Sequence, residues 1–199
     1  MDNTATTDRK SAERAARKEL ILQGALTVFK EKGLEGAKID EIARVSGFGK
    51  ATLYYYFTSK EEIFNALLLH GWLSLWRELE DTIAGGDSPR RTFIAMLKKI
   101  AETVNTDRPL YEFLFFVPRS FSSEEIDKAE WKQYQNRLYK MLLELIEAGI
   151  ELGQFPQMDP NLVLKALGGL FHGLVFWGRD KKNVTEDQLE EMLDSMLKK

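Results

Sequence analysis

The residues best placed to do chemistry stand in one short run, Gly47-Phe48-Gly49-Lys50-Ala51-Thr52-Leu53-Tyr54-Tyr55-Tyr56. Lysine donates to phosphate or a guanine edge. Threonine can bond a base edge and touch a thymine methyl. Three consecutive tyrosines on a helix point about 100° apart, so they cannot all face a core. Gly49 and Ala51 leave the helix tip slim enough for its backbone to enter a groove. With Ile39 to Ser46 just before it, the run reads as two short helices broken at a glycine pair. That is the form of a helix-turn-helix whose second helix lies in the major groove of DNA.

The same run superficially suggests a phosphate loop. It lacks a preceding strand, the third glycine and the full Walker spacing. Other catalytic signals are equally poor. No G-x-S-x-G occurs, and the only histidines, His70 and His172, do not follow a glutamate by three residues. The acidic residues Glu124, Glu125, Asp127 and Glu130 look like a solvated helix start. The sequence therefore predicts no enzyme, no metal site and no cofactor.

The elements that position the tyrosines are helical throughout. Apolar residues recur at the 3.6 period and no strand alternation is visible, which predicts an all-α fold of about nine helices. Leu20/Ile21, Ala25, Val28 and Phe29 form the apolar face of a first helix ending at Gly33. Leu53 and Phe57, four apart, should pin the recognition helix to the core. Ser59 and Glu62 form a capping box opening a long fourth helix that carries Trp72 and Trp76. Ser88-Pro89 starts a fifth helix. Pro109 to Phe121 is a short aromatic segment, and Ser122 to Glu125 a second capping box before a long helix through Trp131, Tyr134, Leu138 and Leu142. Asp159-Pro160 and Thr185/Gln188 cap the last two.

Composition narrows the setting. The 199 residues hold 28 Lys/Arg and 31 Asp/Glu, a net charge of −3. Residues 1–60 carry 11 basic and 8 acidic residues, leaving 17 and 23 to the remainder. A mildly basic front half on an acidic body suits a head that meets phosphates. Cysteine is absent, which removes disulfides and thiolate metal sites and fits a reducing, cytoplasmic setting. Met1 to Ser11 lacks the apolar core of an export signal, and no apolar stretch is long enough to span a bilayer. Arg9, Lys10, Arg14, Arg17 and Lys18 read as a flexible basic arm.

Residues 14 to 70 resemble the DNA-binding domain of the tetracycline-repressor (TetR) family of bacterial transcription regulators. The resemblance rests on Ile42-Ala43, Gly47, Lys50 to Phe57 and Lys60-Glu61-Glu62, with Ala25, Phe29, Gly33 and Gly36 before them. This chain departs from the family at Lys38, often Thr, and at Gly49, usually Ser. The resemblance implies a DNA-binding domain in residues 1–60 and a helical effector-binding and dimerisation domain in 61–199. It places Tyr55 and Tyr56 near the DNA, with Tyr54 reaching backbone or base. Lys38, Gly49, Lys50, Ala51, Thr52 and Lys60 complete the expected DNA surface.

One head reads only a few base pairs, so a dimer on a palindromic operator is expected. The stretch from Ala166 to Gly178 carries no full charge, and a helix apolar all round must be buried all round. Its glycines would let a second copy approach closely. Leu167, Gly168, Phe171, Leu174 and Val175, with Leu189 and Leu193 from the last helix, are the expected interface, forming a four-helix bundle as in the resembled family.

The body is rich in aromatic residues, which predicts an apolar cavity for a hydrophobic or aromatic small molecule. Its expected lining is Trp72, Trp76, Phe113, Phe116 and Trp131, then Tyr134, Leu138, His172 and Phe176. Arg119, Arg137 and Tyr134 are candidate polar anchors. The resulting expectation is a repressor released from its operator by that effector. The alternatives are a DNA-binding regulator without a small-molecule effector and, remotely, a helical enzyme.

Overall fold

The computed structural model describes residues 3–86, 88–116, 129–177 and 185–196. Among these residues there are nine helices and no strand: α1 (Asn3–Gly36), α2 (Ile39–Ser46), α3 (Lys50–Tyr56), α4 (Lys60–Ala84), α5 (Pro89–Thr106), α6 (Arg108–Phe116), α7 (Trp131–Glu151), α8 (Pro160–Phe176) and α9 (Glu186–Met196). The helices build two compact units. The first rests on the chain up to His70; the second on Gly71–Phe116 and the chain from Trp131, so the boundary lies inside α4.

In the first unit, α1 is interrupted at Gly33, whose φ of 67° is the left-handed conformation that favours glycine. Ile21, Ala25, Val28 and Phe29 are buried beneath α2 (Ile42, Ala43), Leu53 of α3, and Ile63, Phe64, Leu67 and Leu68 of α4. Phe29 and Phe64 meet edge to face at 5.4 Å. Lys32 pairs with Glu41, tying α1 to α2 and holding the Glu41 carboxyl below the usual range. Gly47 ends α2 at φ 76°, and the N–H of Phe48 returns to the Ala43 carbonyl at 2.9 Å. The cap before α4 differs slightly from expectation. Glu62 N–H donates to Ser59 Oγ at 3.1 Å, but the Glu62 carboxylate accepts from the N–H and hydroxyl of Thr58.

In the second unit Trp72, Leu75, Trp76 and Leu79 of α4 are buried. Ser88 accepts from Arg91 N–H with Pro89 following it, and Asp159 accepts from the N–H groups of Asn161 and Leu162 ahead of α8. Thr185 and Gln188 cap α9 reciprocally. The second capping box, Ser122 to Glu125, lies outside the described residues. The aromatic segment that starts at Pro109 is helical as α6 up to Phe116, and its remainder, 117–121, lies outside the described residues. Phe155 folds its ring over Gly149, where a Cβ would lie 2.4 Å from the ring.

Tyr111 of α6 is buried, and burial, with the negative charge of Asp107 and Glu78, pushes its phenol from 10.0 up to about 12. A raised folded pKa supplies stability that is complete below the unfolded value and is lost as pH climbs through the folded one. We expect the melting temperature to fall more steeply between pH 10 and pH 12 in the parent chain than in Tyr111→Phe. Thermal melts across that window, followed by circular dichroism, check this.

Candidate nucleic-acid interface and effector core

The α2–turn–α3 unit sorts its side chains by burial. Leu53 is fully buried and Phe57 nearly so, which anchors α3 from one side. Tyr54 is then 48% exposed and Tyr55 71% exposed. Gly49, Lys50 and Ala51 are exposed as well, while Thr52 and Tyr56 are half-buried. A large aromatic residue on a free helix face has lost little water in the monomer and has that area to offer a partner. The Tyr55 and Tyr56 rings meet edge to face at 5.1 Å. Lys50 pairs with Asp40 of α2 at 2.8 Å, an interaction that raises its pKa and keeps it charged. Lys38 is exposed at the start of α2, and its carbonyl, not its side chain, accepts from Glu41 and Ile42.

Two expectations change. Lys60 is not free for a phosphate in this structure. Its ammonium donates to the carbonyls of Leu34, Glu35 and Ala37 at 2.8, 3.0 and 3.4 Å, capping the end of α1 beyond its kink at Gly33. An ammonium has three donors, and these three carbonyls use them. The basic arm is not a flexible tail either: residues 9–18 are helical and continuous with α1. Arg17 pairs with Glu13, the Arg14 guanidinium lies 5.9 Å over the Tyr55 ring, and Lys18 lies 5.1 Å over Phe57. Spacing alone did not reveal this packing, because Arg14 and Tyr55 are remote in sequence.

In the second unit, four of the expected effector residues gather with a fifth that sequence reasoning left out of the lining, Phe115. Trp72 touches Phe115 (5.8 Å), Phe115 touches Phe176 (5.7 Å), and Phe176 touches both Phe116 (5.3 Å) and His172 (4.9 Å). Phe116 and His172 close the set at 4.5 Å. Trp76 and Tyr134 form another group: Trp76 Nε1 donates to the Tyr134 carbonyl at 3.1 Å, and the Arg137 guanidinium stacks 4.4 Å over the Trp76 ring. Trp131 and Leu138 are buried, Phe113 is half-buried, and Arg119 lies outside the described residues.

Two grooves of about 320 and 440 Å³ open elsewhere in this unit. One is lined by Ile83, Pro89, Thr92, Met141 and Leu145, the other by Leu174, Gln188 and Met192; neither includes the expected aromatic residues. Among the described residues no group of His, Asp and Glu could hold a metal ion, and no helix is long and apolar enough to cross a membrane.

The expected interface also divides. Leu167, Phe171 and Val175 point with Val163 into the core of their own chain, and Leu189 is buried too. The free face of α8 holds Gly168 and Leu174 from the expected set, together with Leu162, Ala166, Gly169 and Trp177. The Leu193 side chain lies outside the described residues. A Cβ placed on Gly168, Gly169 or Gly173 would meet nothing within 4 Å. The uncharged stretch from Ala166 onward hides which of its sides turns inward; in α8 only the exposed Lys165, ahead of that stretch, marks the outer one.

A trihelical unit displaying tyrosines from a pinned helix, joined to a helical body, is the architecture of a DNA-binding transcription regulator. Residues 21–67 match the family described as bacterial regulatory proteins, tetR family. The uncharacterized HTH-type transcriptional regulator YdgC of Bacillus subtilis is 30% identical over 160 residues, covering 77% of this chain and 76% of that protein. The HTH-type transcriptional repressor KstR2 of Mycobacterium tuberculosis is 28% identical over 187 residues, covering 92% and 91%. Among solved structures, AibR in complex with isovaleryl coenzyme A and operator DNA aligns with a TM-score of 0.75 at 19% identity, covering 91% of this chain and 97% of that one. The chain belongs to the TetR family of transcriptional regulators.

Proposed function

We propose that this regulator is a homodimeric repressor that grips a palindromic operator and releases it when an apolar small molecule binds its second unit. The observation that carries the DNA half is the 71% exposure of Tyr55 on a seven-residue helix whose Leu53 is fully buried. Lys50, Thr52, Tyr54, Tyr55 and Tyr56 make the base and backbone contacts, Gly49 and Ala51 permit close approach, and Lys38 meets a phosphate. Lys60 is left out because its donors serve α1. Operator binding resides in residues 1–60, effector binding and self-association in 61–199. The chain acts in the cytoplasm, without cofactor and without chemistry of its own.

The effector half is supported by the aromatic cluster around Phe176 and by the relatives. KstR2 is named a repressor, and AibR has been crystallised with an acyl-coenzyme A and operator together. An effector weakens operator binding only by favouring the DNA-free form, and a coupling of about 1–3 kcal/mol corresponds to roughly 5–150-fold. Titrating promoter DNA from the native genome with and without acyl-coenzyme A and aromatic compounds tests this. Loss of affinity within that range is the expected result.

A second reading has its own observation: the aromatic rings pack on one another, and the two grooves lie away from them. It makes the chain a DNA-binding regulator without a small-molecule effector. Tight operator binding indifferent to every compound favours it.

A further inference from the structure

Two tryptophans on α4, four residues apart, are treated differently. Trp76 Nε1 donates to the Tyr134 carbonyl. Trp72 is fully buried, and its Nε1 finds no acceptor among the described residues. An indole N–H is a donor only, and leaving one buried without an acceptor costs roughly ten-fold or more in a folding equilibrium. Native proteins hold few such groups, and each calls for an explanation.

The location supplies one. A line of ring contacts leads from the surface to Trp72. It begins at Phe116, 46% exposed, and passes through Phe176 and Phe115 to the Trp72 ring, each step between 5.3 and 5.8 Å. Phenylalanine rings offer only the weak acceptor of a π face, so nothing along the line gives the N–H an oxygen or nitrogen partner. An apolar molecule that entered along it and displaced those rings would pass His172, which lies against Phe116 and Phe176, and would meet at the far end a buried donor without a partner.

Building on the effector reading above, we propose that the effector carries an uncharged carbonyl oxygen (ketone, ester or thioester) on an apolar body, and that Trp72 Nε1–H donates to that oxygen. A plain hydrocarbon would leave the N–H as it is. A carboxylate would need more than one neutral donor to offset the loss of its hydration. A carbonyl needs one donor, and a neutral buried hydrogen bond is within what a single indole provides.

The test uses matched pairs that differ only in the carbonyl: methyl octyl ketone with decane, methyl naphthyl ketone with ethylnaphthalene, and decanoyl-coenzyme A with decyl-coenzyme A. Each is titrated against the full-length protein on operator DNA, and release is measured by fluorescence anisotropy. The carbonyl member should act at concentrations about 10-fold lower than its partner, and Trp72→Phe should bring the two to parity. In the nitrogen-labelled protein, the indole N–H resonance that disappears in Trp72→Phe should move downfield when the carbonyl compound is added. If both members of each pair release the operator equally from the unsubstituted protein, this assignment is wrong and the effector reading survives. If the preference persists in Trp72→Phe, the donor is another group and the assignment is again wrong. If no compound of any pair causes release, both the assignment and the effector reading fall. Should Trp72→Phe not fold, the pairwise comparison and the resonance shift in the unsubstituted protein decide the matter.

Discussion

Gly24→Val should unfold the DNA-binding unit at markedly lower temperature and remove operator binding with it. A Cβ at Gly24 would stand 2.8 Å from the backbone nitrogen and Cβ of Ser46, and 2.9 Å from its Cα. Real Cβ atoms essentially never come that close, and here the neighbour is backbone, which cannot swing aside as a side chain would. Ser46 is fixed further by its hydroxyl, which donates to the Ile42 carbonyl at 2.7 Å. The added methyls must therefore push the end of α2 off α1. Overpacking of this kind costs about 1–3 kcal/mol, and the slightly better helix propensity of valine over glycine offsets only a few tenths of it. For a unit of this size the penalty corresponds to roughly 10 °C in melting temperature. Function should suffer more than stability, because the end of α2 carries the turn that aims α3. Circular dichroism melts and operator titrations on Gly24→Ala and Gly24→Val should show a graded loss. A valine variant that melts and binds like the parent would mean that the two helices do not touch at this point.

The second large effect is expected from Gly169→Arg. In the single chain this position faces open space, so an arginine is accommodated without a clash. Arginine is also a better helix former than glycine by about 0.7–1 kcal/mol, so α8 itself should gain. In the proposed dimer, if this exposed face is the one covered, the same side chain would add a charge and a long stem beside Leu162, Ala166 and Trp177. We expect a folded monomer by sedimentation, with an unchanged helical spectrum. Operator affinity should drop by about 10²–10⁴, since two heads on one partner gain their strength from effective concentration. A variant that remains dimeric would move the interface away from this face of α8.

Much of the fold could be read from the sequence because its signals are local. Ser88-Pro89, Asp159-Pro160 and Thr185 with Gln188 each mark a helix start through contacts within three residues, and the structure places helices at all three. The recognition helix was legible for the same reason: Leu53 and Phe57 go inside, and the remaining tyrosines have few other directions to take. What escaped was everything decided across long separations. Lys60 reaches carbonyls some 25 residues earlier in the chain, a capping role with no sequence signature. On α8 the apolar residues surround the axis, so Leu167 and Leu174 look alike until neighbouring helices bury one and leave the other exposed. Phe115 and Phe116 are adjacent in sequence, yet only the first touches Trp72. The indole left without an acceptor could be found only once the burial of Trp72 was known.

The ion pair between Asp40 and Lys50 bears on how binding should respond to ionic strength. A lysine arriving at DNA bare displaces one condensed cation from the polyanion, and each such displacement steepens the salt dependence. Lys50 arrives already neutralised by a carboxylate. To reach a phosphate it must swap one anion for another, and Asp40, a lone exposed carboxylate, condenses no cation in exchange. An exposed pair is weak and is itself screened by salt, so it makes the logarithmic salt slope of this one contact shallower without abolishing it.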